Sequence, residues 1–195
     1  MNLVGIILNG GKSSRMGTDK SGLVYQGKSL LEHMQHLLKN AGVSNVYISG
    51  AGGMSDIIPD RGPLGGIYSV MQQLTENQEV LIAPIDMPLL SVDILSSLRG
   101  AKQQGDASHF EGFIMPLKLR LSSVVRKHIE ATVTDGSKSL SVKSLLNKIN
   151  VAVIDIPKGS DDCFINTNTP DEWIKMNSHE PAELRPIAKQ GVLKQ

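Results

Sequence analysis

Leu3-Val4-Gly5-Ile6-Ile7-Leu8-Asn9-Gly10-Gly11-Lys12-Ser13-Ser14-Arg15-Met16-Gly17-Thr18-Asp19-Lys20 is the stretch on which the reading of this chain turns. Its first six residues are mostly branched aliphatics, the composition of a strand buried on both faces of a parallel sheet. The run breaks at Asn9-Gly10-Gly11 and passes directly into Lys12, Arg15, Gly17 and Lys20. Glycines let backbone N–H groups approach an anion closely, and Arg15 and Lys20 supply positive charge, so the loop suits a phosphate cradle. A plain turn with solvated cations is the competing reading, and neither G-x-x-x-x-G-K-[ST] nor G-x-G-x-x-G is present. Glycines and cations together, immediately after the first strand, favour phosphate.

Outward from this loop, strands and helices alternate. Ser29 and Glu32 have capping-box spacing, and Leu30, Leu31, Met34, Leu37 and Leu38 recur at helical spacing, which predicts a helix over 29–40 ended by Asn40-Ala41-Gly42. Residues 43–49 form a second strand. The segment 50–63 is too rich in glycine and proline for a helix, although Ile57-Ile58 could pair briefly as a strand. A helix follows over 64–74, and then a buried strand over 80–85 that contains Pro84, an unusual residue in a central strand and a sign of a bulge near its end. Ser91 caps a helix through Arg99. Strand or irregular structure is expected over 106–116, helices near 119–131 and 138–148, and a strand at 150–156. Thr169-Pro170-Asp171-Glu172 opens a last helix. The reading gives one domain over 1–177 and a tail over 178–195, ordered or not. This alternation implies an α/β fold with a doubly wound, mostly parallel sheet. Ligands in such folds bind beyond the carboxyl ends of the strands, which gathers the loop after Leu8, the 50–66 segment and Asp86 on one rim.

Composition narrows the function classes. The 195 residues are 40% apolar and 20% charged, which fits one well-buried domain and argues against general disorder. A net charge of +1 speaks against a nucleic-acid partner. No signal peptide or membrane-length apolar run is visible, so no membrane partner is expected and the cytoplasm is the default compartment. The single cysteine, Cys163, has no disulfide or zinc partners in its neighbourhood and reads as a packing residue.

Asp86 follows an apolar strand directly, where a lone carboxylate is costly to bury. Beside a polyphosphate it suits Mg²⁺, which takes one or two carboxylates plus phosphate oxygens and water; a turn aspartate before Met87-Pro88 is the alternative. Asp60, in Pro59-Asp60-Arg61-Gly62-Pro63-Leu64-Gly65-Gly66, is equally divided between a turn and a contact to a base or ribose. Cations with one or two acids and no evident nucleophile fit phosphoryl or nucleotidyl transfer, which needs positioning and charge neutralisation above all.

The residues Leu8 to Lys20 resemble the L-x-G-G-x-x-x-R-M-G-x-D-K signature of the glycosyltransferase-A-like nucleotidyltransferases. With Gly62-Pro63-Leu64-Gly65-Gly66-Ile67, Asp86-Met87-Pro88 and Asn166-Thr167-Asn168-Thr169-Pro170, the set is most similar to the MobA family, the molybdenum cofactor guanylyltransferases. The resemblance covers residues 3 to about 176. It implies a Rossmann-like three-layer α/β/α fold and Mg²⁺-dependent transfer of GMP from GTP to molybdopterin with release of pyrophosphate. By that resemblance, Arg15, Lys20 and Asp86 are catalytic, and Leu8, Gly10, Gly11, Lys20, Asp60 and Asp86 meet GTP. Asp86 also holds the metal, and Asn166 and Asn168 lie toward the pterin. Transient contacts with the molybdenum-insertion enzyme and recipient apoenzymes are implied as well. Three features differ from the family pattern. Asn9 stands where alanine is usual, the 50–59 segment is short and lacks the usual asparagine after the second strand, and the central His-Pro-Thr segment is replaced by His109-Phe110-Glu111-Gly112-Phe113. CTP with molybdopterin, a sugar phosphate as acceptor, and a non-catalytic nucleotide-binding relative are the alternatives those differences leave.

Overall fold

Every residue of β1 (Val4–Asn9) is buried, because the strand lies between two parallel neighbours and is covered on both faces. The computed structural model describes residues 2–10, 22–101, 105–135, 140–167 and 172–173. Along that chain follow β2 (Val24–Tyr25), β3 (Lys28–Ser29), α1 (Leu30–Asn40), β4 (Asn45–Gly50), α2 (Gly62–Met71), β5 (Glu79–Pro84) and α3 (Val92–Gly100). After them come β6 (Ala107–Phe110), β7 (Phe113–Arg120), α4 (Ser123–Thr134), α5 (Val142–Leu146), β8 (Val151–Ile154) and a 3₁₀ turn over Asp161–Phe164.

Six strands form one sheet in the order β4-β1-β5-β7-β6-β8, and only β7 runs against the rest. Alternate residues of each strand face opposite sides. Ile6, Leu8, Val80, Ile82, Leu117 and Leu119 pack beneath α2, α4 and α5. Ile7, Leu81, Ala83 and Phe110 pack beneath α1 and α3. The result is the three-layer α/β/α architecture expected from the alternation of elements.

Local signals are used as read in several places. Ser29 and Glu32 form a reciprocal capping box on α1, with the Ser29 N–H donating to Glu32 Oε2 at 2.9 Å. The Ser91 side chain accepts the Ile94 N–H at the start of α3. Two expectations change, and a hairpin appears that was not expected. Residues 119–120 end a strand and do not begin a helix, because Leu117 and Leu119 pair with Ile82 and Val80 of β5. The helix starts after Ser122, whose side chain accepts the Val125 N–H. Ile57-Ile58 forms no strand, since the Ile57 N–H donates to Ser69 Oγ on α2 at 2.9 Å. The small β2–β3 hairpin carries no apolar alternation and turns at Gln26 and Gly27, both with positive φ. The helix expected from Thr169 lies outside the described residues except for Glu172 and Trp173, and the 178–195 tail lies outside them entirely.

Candidate active site

Parallel strands bring their carboxyl ends to one side, and here three do so side by side. Leu8 aligns with Ser49 of β4 and with Pro84 of β5, while Asn9 aligns with Gly50. Leu8 is 8% exposed, and its carbonyl accepts the Ile85 N–H at 3.0 Å, so its backbone locks β1 to the strand that leads to Asp86. Exposed Gly10 therefore leaves the sheet between the β4–α2 loop and the Asp86 turn. Gly11, Lys12, Arg15 and Lys20 lie outside the described residues.

The β4 side of this rim is held by tight backbone contacts. Asn9, buried at 7% exposure, donates from Nδ2 to the Ala51 carbonyl at 2.6 Å, and its own carbonyl accepts the Ala51 N–H at 3.2 Å. The polar side chain at this position thus clips the β4–α2 loop to the end of β1. Gly50 has φ +95, and a Cβ there would sit 2.3 Å from the Asn9 carbonyl oxygen; only glycine fits. A Cβ at Gly66 would sit 2.2 Å from Ser49 Oγ, so α2 lies flush on β4 and delivers its amino end to the rim. Gly65 and Gly66 are buried and serve this packing, while Gly62, with φ +56, stays exposed. Asp60 sits exposed just before that helix in the left-handed region at φ +59. Asp56 lies lower in the loop, with the Ser49 hydroxyl donating to its Oδ1 at 3.5 Å. Burial pushes the Asp56 carboxyl above the ordinary carboxylate range, opposed by that hydroxyl.

On the other side of β1, Asp86 is half-buried on the turn after β5. Its backbone carbonyl accepts the Thr167 N–H at 2.8 Å and the Thr167 hydroxyl at 3.4 Å, which draws the Asn166-Thr167 segment to the turn. His33 Nε2 on α1 donates to the Pro88 carbonyl at 3.0 Å, holding the turn from a second element. The His33 ring also meets Tyr25 edge-on with centroids 4.8 Å apart.

Beyond Asp86 opens a recess of about 380 Å³ whose lining includes Asp86, Pro84, Phe113, Met115, Phe164 and Asn166. Two prolines explain it. The antiparallel ladder between β5 and β7 stops at Ile82–Leu117, where the next residues would be Ala83 opposite Pro116 and Pro84 opposite Met115. Proline has no N–H to continue a ladder. The partner β6 shifts register as well, from His109–Leu117 to Phe110–Phe113, so 114–116 bow away from it. Phe113 and Phe164 stack in the gap with centroids 4.3 Å apart and planes 19° from parallel. Pro84 was the visible signal for this opening; the Phe113–Phe164 wall, the Asn9 clip and the His33 tether had none, since each depends on a partner 40 or more residues away.

Leu8, Gly10, Asp60, Asp86 and Asn166 thus share the carboxyl end of the sheet, while Asn168 lies outside the described residues. No group of three or more His, Cys, Asp or Glu side chains able to hold a metal occurs among the described residues. A wall of glycine and backbone, a half-buried carboxylate and a separate apolar recess therefore lie side by side at this end of the sheet. The sequence pattern described as the "MobA-like NTP transferase domain" matches residues 5–149. The chain belongs to that family. As a member it is a nucleotidyltransferase. It is 35% identical to a molybdenum cofactor guanylyltransferase of Xanthomonas euvesicatoria, over 91% of this chain and 95% of the relative. It is 29% identical to one from Photobacterium profundum, over 86% and 91% respectively. The fold matches a crystal structure titled molybdopterin-guanine dinucleotide biosynthesis protein A, from Archaeoglobus fulgidus, at a TM-score of 0.70 and 20% identity, covering 90% of this chain and 97% of that one. No described helix of this MobA-like chain is long and apolar enough to cross a membrane.

Proposed function

We propose that this protein transfers GMP from GTP to molybdopterin, forming the guanine dinucleotide form of the cofactor and releasing pyrophosphate. The observation that carries the reading is the position of Asp86, on a turn between the β1–β4 rim and the apolar recess, in a chain related over most of its length to proteins of that name. The acceptor's phosphate oxygen attacks the α-phosphorus of GTP, a P–O bond forms, and the bond to pyrophosphate breaks. Arg15 and Lys20 neutralise the charge that builds on the leaving group, and Gly10 and Gly11 offer backbone N–H groups to the phosphates. Asp60 faces the guanine or the ribose. The recess beside Asn166 takes the pterin, whose flat ring suits the Phe113–Phe164 wall, and Asn168 serves the same substrate.

The half-buried carboxylate of Asp86 fits Mg²⁺, an ion that takes one or two carboxylates and its remaining ligands from phosphate oxygens and water. Asp86 would hold the ion, which would supply positive charge against the polyphosphate. Asp86 itself is kept in place by Thr167 and, through Pro88, by His33. Delivery of product fits transient contact with the molybdenum-insertion enzyme and recipient apoenzymes in the cytoplasm. The test is pyrophosphate release from GTP and Mg²⁺ with molybdopterin as acceptor. Release that depends on both substrates is expected; no release from any triphosphate would remove the proposal.

A further inference from the structure

We propose that Thr167 is a positioning residue that couples the apolar recess to the Asp86 carboxylate, so that an acceptor in the recess and a divalent cation on Asp86 strengthen each other's binding. This coupling presupposes the nucleotidyl-transfer reading and adds a link between its two halves. Asp86 stands where two segments of backbone meet. The residue before it, Ile85, donates its N–H to the Leu8 carbonyl at 3.0 Å and so follows β1. The Asp86 carbonyl is held from the other direction, by the Thr167 N–H at 2.8 Å and the Thr167 hydroxyl at 3.4 Å. Peptide groups are planar, and φ and ψ are the only soft dihedrals between them. Pinning the peptides on both sides of Asp86 therefore sets the direction in which its side chain leaves the backbone.

Thr167 is 2% exposed. A buried hydroxyl requires a partner, and this one bonds the same carbonyl as its own N–H. Three residues earlier the same segment forms a wall of the recess. Phe164, 3% exposed, stacks on Phe113 with centroids 4.3 Å apart and meets Phe110 edge-on at 5.2 Å. Both Phe164 and Asn166 line the recess. Between the buried anchors Phe164 and Thr167 lie Ile165 and Asn166, both exposed. Ile165 is already extended, at φ −70 and ψ 126. An extended chain spans at most about 3.5 Å per residue, so a link this short has little slack. A shift of the Phe164 ring passes to Thr167 because the close-packed anchors at either end do not absorb it.

An acceptor that fills the recess bears on the Phe113–Phe164 pair and on Asn166. Holding that wall holds Thr167, and through it the outgoing peptide of Asp86. A cation then meets a carboxylate whose direction is already set, and binding carries less of the ordering cost. Such coupling is reciprocal: the factor by which the acceptor tightens the cation is the factor by which the cation tightens the acceptor.

The experiment is calorimetric titration of the full chain with molybdopterin, with and without Mg²⁺. A saturating GTP analogue, in which methylene replaces the oxygen between the α- and β-phosphorus, prevents transfer. In the wild type Mg²⁺ should tighten molybdopterin about fivefold. Thr167→Val keeps the N–H bond and the volume and removes the hydroxyl, and should bring that factor to about twofold or less. Thr167→Ser retains the hydroxyl and should restore about fivefold. Affinity for the analogue, measured without molybdopterin, should agree within about twofold in all three, whereas a general loosening of the fold would move it too. No effect of Mg²⁺ on molybdopterin in the wild type would overturn the inference. So would an undiminished factor in Thr167→Val, or a Thr167→Ser factor as low as that of the valine variant. If Thr167→Val does not fold, Phe164→Leu decides by cutting the link at its other end. Molybdopterin should then bind more weakly in both arms with the factor again about twofold or less, and an undiminished factor overturns the coupling. A wild type that binds both ligands without coupling leaves nucleotidyl transfer standing; a wild type that binds neither removes both.

Discussion

The two walls that meet at Asp86 are built on opposite principles. On the β1–β4 side, parallel strands end together and glycines bring backbone against backbone, as at Gly50 against Asn9 and Gly66 against Ser49. That wall is polar, closely packed and made largely of main chain. On the β5–β7 side, an antiparallel ladder is interrupted by Pro84 and Pro116, and side chains fill the margin of the gap they leave. That wall is apolar and aromatic. One end of one sheet therefore presents two different surfaces, the second opening onto a recess of about 380 Å³. Under the proposed function, the first takes the polyphosphate, the second the flat ring, and the chemistry falls where they join.

The sharpest break of this comparison is Asp86→Ala. It removes the carboxylate at the junction while leaving the backbone carbonyl that Thr167 uses, so the fold should survive. Turnover measured as pyrophosphate release should fall by about a thousandfold, in line with loss of a central electrostatic group. Gly50→Ala attacks the nucleotide wall alone. A Cβ at φ +95, 2.3 Å from a carbonyl oxygen, leaves no room for relaxation by a flexible side chain. Chemical denaturation should show a loss of about 3 kcal/mol, and an unchanged midpoint would mean the Asn9–Gly50 contact is looser than described.

Phe113→Ala attacks the other wall. Removing one ring of the stacked pair should raise the acceptor KM by about tenfold with the GTP Kd unchanged; a change in GTP affinity instead would erase the distinction between the walls. The smallest effect concerns the tether. Burial holds the His33 imidazole below its ordinary value, with Lys28 and His36 repelling the cation further and the Pro88 carbonyl opposing both. The unfolded chain then binds more protons at this site than the folded one. The stability His33 contributes is complete above about pH 6.5 and is lost as pH falls through the lower folded value. Thermal melts should show an acidic decline that is reduced in His33→Gln, whose amide can still donate to Pro88.

Much of the β1–β4 side of the fold was legible because its signals are local. The aliphatic run before Gly10, the Ser29–Glu32 box, the glycine–proline loop before α2 and Asp86 at a strand's end each announce themselves within a few residues. The places where reading failed are those where a remote partner overrides local pattern. Leu119 and Arg120 are expected to begin a helix near 119–131. Pairing with β5 made them the end of a strand, and Lys118, 5% exposed, donates to the Arg99 and Ala101 carbonyls to close α3.

By itself the sequence determined the alternating α/β order, the parallel strands that open the fold, and which loops gather at their carboxyl ends, because chain periodicity and turn chemistry act over short distances. Only the tertiary structure decided that β7 runs backwards, that two prolines 32 residues apart open one recess, and that Asn9 clips the β4–α2 loop to the end of β1. Those facts follow from strand pairing and close packing between distant segments, and neither can be read from a residue's neighbours in the chain.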